Sequence, residues 1–123
     1  MDILTLDYVD VFDENRSKKL SFSKELLDEN IKENSLFVLR VDGKSMQPVI
    51  NHKALVVADL SQKDIKNEKI YIVYYNNKMW IKKALIKQNK TVFVSINKDY
   101  SHLVYEFKDV HVVAKVILTF TKF

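Results

Sequence analysis

Leu36-Phe37-Val38-Leu39-Arg40-Val41-Asp42-Gly43-Lys44-Ser45-Met46-Gln47-Pro48 is the stretch on which the reading of this chain turns. Leu36–Val41 is rich in large apolar residues and reads as a strand. The chain's one glycine and one proline then bracket Ser45. Glycine admits backbone angles that other residues resist, and proline fixes φ and removes a donor. A strand that runs into a sharp turn and displays a hydroxyl is one way a fold exposes a nucleophile. The same residues also fit an ordinary loop that happens to hold a serine.

Working outward, the flanks are strand-like as well. Leu55–Ala58, Ile70–Tyr75, Met79–Ile86, Thr91–Ser95 and Val110–Phe120 are rich in Val, Ile, Tyr and Phe. Asn76-Asn77 marks a tight turn between two of them, because Asn tolerates positive φ. Ser23–Asn30 reads as a short helix with Ser21 or Ser23 as N-cap and Leu26, Leu27 and Ile31 on one side. The first 20 residues are the least regular, and Leu4–Phe12 alternates loosely as an extended arm or strand. The expected architecture is mostly β, coiled or barrel-like, with one or two short helices.

With 123 residues and 47% hydrophobic content, the chain is sized for one domain with a real core. Apolar stretches such as Ala54–Ala58 and Val116–Leu118 are too short to span a bilayer. Met1-Asp2-Ile3-Leu4 lacks the basic and apolar regions of a signal peptide. A cytoplasmic protein without membrane partners is expected. Zero cysteines exclude disulfides, cysteine metal sites and a thiol nucleophile. The net charge of +4 is carried by scattered lysines, with Arg16 and Arg40 the only arginines. That pattern argues against direct base readout by this segment, which favours arginine forks.

Serine needs a base to take its proton. Of the histidines His52, His102 and His111, His52 is near Ser45 in sequence, but no local spacing supports metal binding by any of them. No cofactor and no metal are expected. A lysine serves as base only when burial makes it neutral. The strand Met79-Trp80-Ile81-Lys82-Lys83-Ala84-Leu85-Ile86 offers two. Lys82 shares a face with Trp80, Ala84 and Ile86, and Lys83 shares one with Met79, Ile81 and Leu85. Alternation alone does not choose between them.

Phe37–Pro48, with its Gly-Lys-Ser-Met-Gln-Pro turn, resembles the nucleophile motif of the LexA-like serine peptidases, which include LexA, UmuD and phage-type repressors. Further matches follow in order. Ala54–Asp59 resembles the strand after the nucleophile, and Asp64–Val73 the turn and strand that usually carry Asn-Gly-Asp. Trp80-Ile81-Lys82-Lys83 resembles the stretch holding the lysine. Ser95-Ile96-Asn97-Lys98-Asp99-Tyr100 resembles a Pro-x-Asn-x-x-Tyr/Phe segment, with Ser or Ile where Pro is common. Val112–Ile117 resembles the closing Gly-x-Val strand, with Ala114 for Gly.

The resemblance covers roughly residues 36 to 118 and implies a boundary: an arm and short helix over 1–35, then a LexA-like Ser-Lys peptidase domain over 36–123. It implies Ser45 as nucleophile, Lys82 as general base, and backbone N–H groups of Ser45 and Met46 as oxyanion donors. It implies a homodimer, DNA binding through an N-terminal domain outside this sequence, and a nucleoprotein-filament co-protease of the SOS response. Two departures stand out. The family's Ala-Gly or Cys-Gly cleavage bond is missing, and Val9-Asp10-Val11-Phe12 stands where it belongs, about 34 residues before Ser45. This sequence holds no helix-turn-helix before the domain, so either that part lies outside it or the chain acts alone as UmuD-like proteins do. The alternatives are a catalytically silent dimerisation and sensing module, or a UmuD-like accessory factor of a lesion-bypass polymerase.

Overall fold

The computed structural model describes residues 2–123. Nine strands carry the fold: β1 (Ile3–Asp10), β2 (Arg16–Ser23), β3 (Leu36–Arg40), β4 (Leu55–Asp59), β5 (Ile70–Tyr75), β6 (Lys78–Lys87), β7 (Lys90–Val94), β8 (Tyr105–Glu106) and β9 (His111–Phe120). β1 and β2 form a two-stranded sheet, and the other seven form one sheet in the order β3-β4-β9-β5-β6-β7-β8. Every pairing is antiparallel. The mostly-β reading holds.

Three tight turns let a chain with one glycine fold this way. Glu14-Asn15, Asn76-Asn77 and Gln88-Asn89 all have positive φ, between 51° and 64°. Asn76-Asn77 and Gln88-Asn89 are two-residue hairpin loops, which require positive φ at both residues, and Glu14-Asn15 closes the five-residue β1–β2 loop through the Arg16 N–Asp13 O bond. β9 lies between β4 and β5, and its register shifts at Val57/Ala58 on one side and Ile72/Val73 on the other. Such bulges bend a strand and increase local twist.

Two expectations need correction. The first 20 residues are as regular as the rest: the strand alternative for Leu4–Phe12 holds as β1, and β2, which was not expected, pairs with it along its whole length, from Ile3 with Ser23 to Asp10 with Arg16. Leu4, Leu6, Tyr8 and Leu20 from this hairpin pack against Phe22, Leu36, Val38 and Val57. Nor is there a helix over Ser23–Asn30. A single 3-10 turn spans Lys24–Leu26, capped by the Ser23 hydroxyl, which accepts from Glu25 N at 3.2 Å. Leu27 is already extended and joins the core with Ile31, while Leu26 faces solvent. A helix this short has little to offset its nucleation cost, and the separate apolar contacts of Leu27 and Ile31 win.

Candidate active site

Ser45 follows β3 in a turn built by backbone bonds. Val41 N donates to Ala54 O at 2.8 Å and Lys53 N to Val41 O at 2.8 Å, which closes the loop's neck. Gly43 has φ of 135°, in the region that L side chains rarely adopt. Its N–H donates to His52 Nδ1 at 2.9 Å, and His52 N donates in turn to Gln47 Oε1 at 3.3 Å. His52 thus fastens the turn, and its ring packs edge-on against Phe12 at 5.4 Å. Its Nδ1 lone pair is taken up by Gly43, so the base suggested by sequence proximity serves as a staple. Met46 is buried with Val41, Ile50, Ala54 and Val56, which anchors the turn from below. The N–H groups of Ser45 and Met46 donate to no backbone or side-chain acceptor among the described residues.

A second clamp comes from the loop after β7. Asn97 N donates to Ser45 O at 2.9 Å, and Asn97 Nδ2 donates to Lys44 O at 2.8 Å. Sequence reasoning did not single out this asparagine as a site residue. The signal was its place in the Asn-x-x-Tyr segment, which carried no chemistry of its own.

Lys82 lies on β6 opposite Tyr71 of β5 and is fully buried. Its Nζ sits 5.3 Å from the Trp80 ring centre and 5.7 Å from that of Tyr105. Among the described residues it forms no ion pair, and its hydrogen bond goes to Ser95 Oγ at 2.7 Å. No hydrogen bond joins it to Ser45. Burial pushes its pKa down to about 8, because the charged form loses water without gaining a counter-ion. Lys83, the alternative, is half-buried and pairs across β7 with Val94.

A cavity of about 310 Å³ opens beside Ser45. Leu39, Val41, Met46, Ile72, Trp80, Ile81 and Leu103 make most of its wall apolar, with Arg40 and Tyr100 contributing polar groups. Lys82 does not line it; Trp80 stands at its edge, with the Lys82 amine over the ring. The arrangement offers a hydroxyl on a pinned turn, two free amide donors, an apolar cleft, and a buried amine with a lowered pKa. His102 and His111 are exposed, and no group of three metal-ligating side chains gathers among the described residues. No helix among them is long and apolar enough to cross a membrane.

These elements define a mostly-β domain with a pinned serine turn and a buried lysine on a strand. A family model, Peptidase S24-like, matches residues 7–117. The chain belongs to that family. It is 32% identical over 79 residues to an uncharacterized HTH-type transcriptional regulator of Haemophilus influenzae, covering 63% of this chain and 33% of that protein. It is 32% identical over 83 residues to the LexA repressor of Thermosipho melanesiensis, covering 66% of this chain and 41% of the repressor. The chain thus matches between a third and about two-fifths of the length of these curated relatives.

Proposed function

We propose that this chain is the peptidase and dimerisation domain of a LexA- or phage-repressor-like transcriptional regulator, with Ser45 as nucleophile and Lys82 as general base. The observation that carries this reading is the burial of Lys82 without a counter-ion, with its pKa lowered to about 8. A lysine in that setting is neutral over an accessible pH range, which is what a base requires. Ser45 attacks a peptide carbonyl and passes its proton to Lys82. The free N–H groups of Ser45 and Met46 receive the oxyanion, the amine leaves with the proton, and water hydrolyses the ester. A closer approach of Ser45 Oγ to Lys82 Nζ in the reacting complex belongs to this reading, since catalytic bonds in free enzymes are often longer than in the reacting complex.

The test is labelling of Ser45 by a fluorophosphonate, followed by mass spectrometry across pH. Labelling should rise with a midpoint near 8 and disappear in Ser45→Ala and Lys82→Ala. A Lys82→Ala protein labelled as fast as the parent would refute the dyad and leave the silent sensing module. The regulator reading places DNA binding in another part of a longer cytoplasmic protein, with a nucleoprotein filament as the inducing partner. It also makes the domain a symmetric homodimer. Both edges of β9 are already paired, so the proposed contact uses its face together with exposed Phe123. Sedimentation should show a dimer at tens of micromolar, a range set by about micromolar affinities; a strict monomer there would refute it.

A further inference from the structure

The hydroxyl nearest the buried amine is that of Ser95, which neither the nucleophile turn nor the β6 strand contributes. Ser95 follows β7, and the segment from Ser95 to Asn97 touches both halves of the site. Ser95 Oγ accepts from Lys82 Nζ at 2.7 Å, while Asn97 N and Nδ2 hold the carbonyls of Ser45 and Lys44 at 2.9 and 2.8 Å. One short loop therefore grips the base and the nucleophile turn at once. We propose that Ser95 is a positioning residue for Lys82, fixing the direction of its lone pair for the proton of Ser45. This inference rests on the Ser45–Lys82 reading given above.

The argument is one of lone pairs. A neutral lysine has two N–H bonds and a single lone pair, and only the lone pair takes a proton. The flanks of the amine are the rings of Trp80 and Tyr105, which fix no lone-pair direction. An oxygen that accepts one N–H leaves the lone pair free to face elsewhere. Ser95 is the one such acceptor among the described residues. No charge competes with it. Tyr71, across on β5, donates its hydroxyl to Asp64 O and accepts from Lys66 N. Tyr105 on β8 presents its ring, and Glu106 beside it is held by Lys90 and Lys108. Lys83 on β6 and the β7 residues opposite, Val94 and Phe93, supply no carboxylate.

The hydrogen bond also has a measurable sign. An acceptor oxygen favours the ammonium form, so Ser95 holds the Lys82 pKa above the value that burial alone would give. Removing it should move the Lys82 titration to lower pH while slowing the reaction. Loosening of the structure does the opposite, since water would return Lys82 towards an ordinary lysine pKa.

The experiment uses the full chain as the parent, Ser95→Ala and Ser95→Thr. The pH profile of Ser45 labelling by the fluorophosphonate is read together with the Lys82 titration by NMR of its side-chain carbons. In Ser95→Ala the plateau rate should fall by about ten- to a hundred-fold, the scale of a misplaced reacting group. The Lys82 midpoint should move down by about half a unit or more, and Ser95→Thr should restore both. Unchanged rate and midpoint in Ser95→Ala would overturn the assignment. So would a slower reaction with a midpoint that rises and is not restored by threonine, which marks a structural role only. A parent protein with no Ser45 labelling sinks the dyad, and the positioning role with it.

Discussion

At the scale of single residues, the burial of Lys82 carries a cost in stability. Its folded pKa of about 8 lies below the 10.5 of a free lysine, so the difference amounts to roughly 3 kcal/mol against folding near neutral pH. Between those two values the unfolded chain binds more protons than the folded one, so stability rises with pH through that window. Below about pH 8 the full cost is present. Lys82→Met keeps the length and the packing against Trp80 and Tyr105 without the charge. It should raise the free energy of unfolding at pH 7 by about 1–3 kcal/mol, because the gain is offset by the lost Ser95 bond. The gain should shrink towards pH 10. Chemical denaturation at the two pH values checks this, and an advantage that does not change with pH would show that Lys82 is not desolvated in solution. Some of this was legible beforehand: alternation on β6 put Lys82 among apolar neighbours. What the sequence did not disclose was Ser95 as its partner, because a hydrogen bond between β6 and the end of β7 depends on register, and a serine where the family often has proline gave no sign of it.

At the scale of elements, the strands with dense Val, Ile, Tyr and Phe content were the readable part. Ile70–Tyr75 was placed to the residue, and Met79–Ile86 grew by one residue at each end. β1 was half-read and β2 missed, because Arg-Ser-Lys-Lys-Leu-Ser-Phe-Ser looks polar. Its strand character comes from facing β1: Leu20 and Phe22 point to the core, and the lysines and serines point out. The turns followed the same logic. Asn76-Asn77 was recognisable because both residues accept positive φ, whereas Glu14 and Gln88 gave no such warning. In each of these two an Asn takes the second position; the β6–β7 ladder fixes Gln88, and the Arg16 N–Asp13 O bond closes the turn around Glu14. The nucleophile turn shows the limit from the other side. Gly43 announced it, but His52 and Asn97, which fasten it, come from beyond the turn's end and from another loop. Their roles are set by tertiary geometry that local spacing does not encode.

At the scale of the whole molecule, the β1–β2 hairpin holds the segment in which the family's cleavage bond would fall. Val9-Asp10-Val11-Phe12 spans the end of β1 and the start of its turn. Asp10 is buried there: it accepts from Lys18 Nζ at 2.8 Å and from Phe12 N at 3.0 Å, and Arg40 Nη1 approaches to 3.5 Å. The Lys18 hydrogen bond, with Phe12 N and Arg40 helping against the cost of burial, holds the Asp10 carboxyl below its usual range. The same bond raises Lys18 above 10.5. Lys18 therefore keeps its charge, and the pair its strength, until pH climbs through that raised value. Lys82 is already neutral well below it, above about 8. Between these limits Lys82 is neutral while the segment is still held to the ladder and to Arg40. To reach Ser45 it would have to leave both, desolvate the Asp10 charge and kink without a glycine. The chain should therefore stay intact through prolonged incubation at about pH 9.5, inside the window between the shifted and ordinary lysine values. An added peptide containing Ala-Gly, which pays none of these costs, should be cut under the same conditions. Intact-mass spectrometry reads both outcomes in one tube. A fragment ending within Tyr8–Asp13, lost in Ser45→Ala and Lys82→Ala, would show that the hairpin opens of its own accord and that neither the missing glycine nor the Asp10 pairing protects this bond.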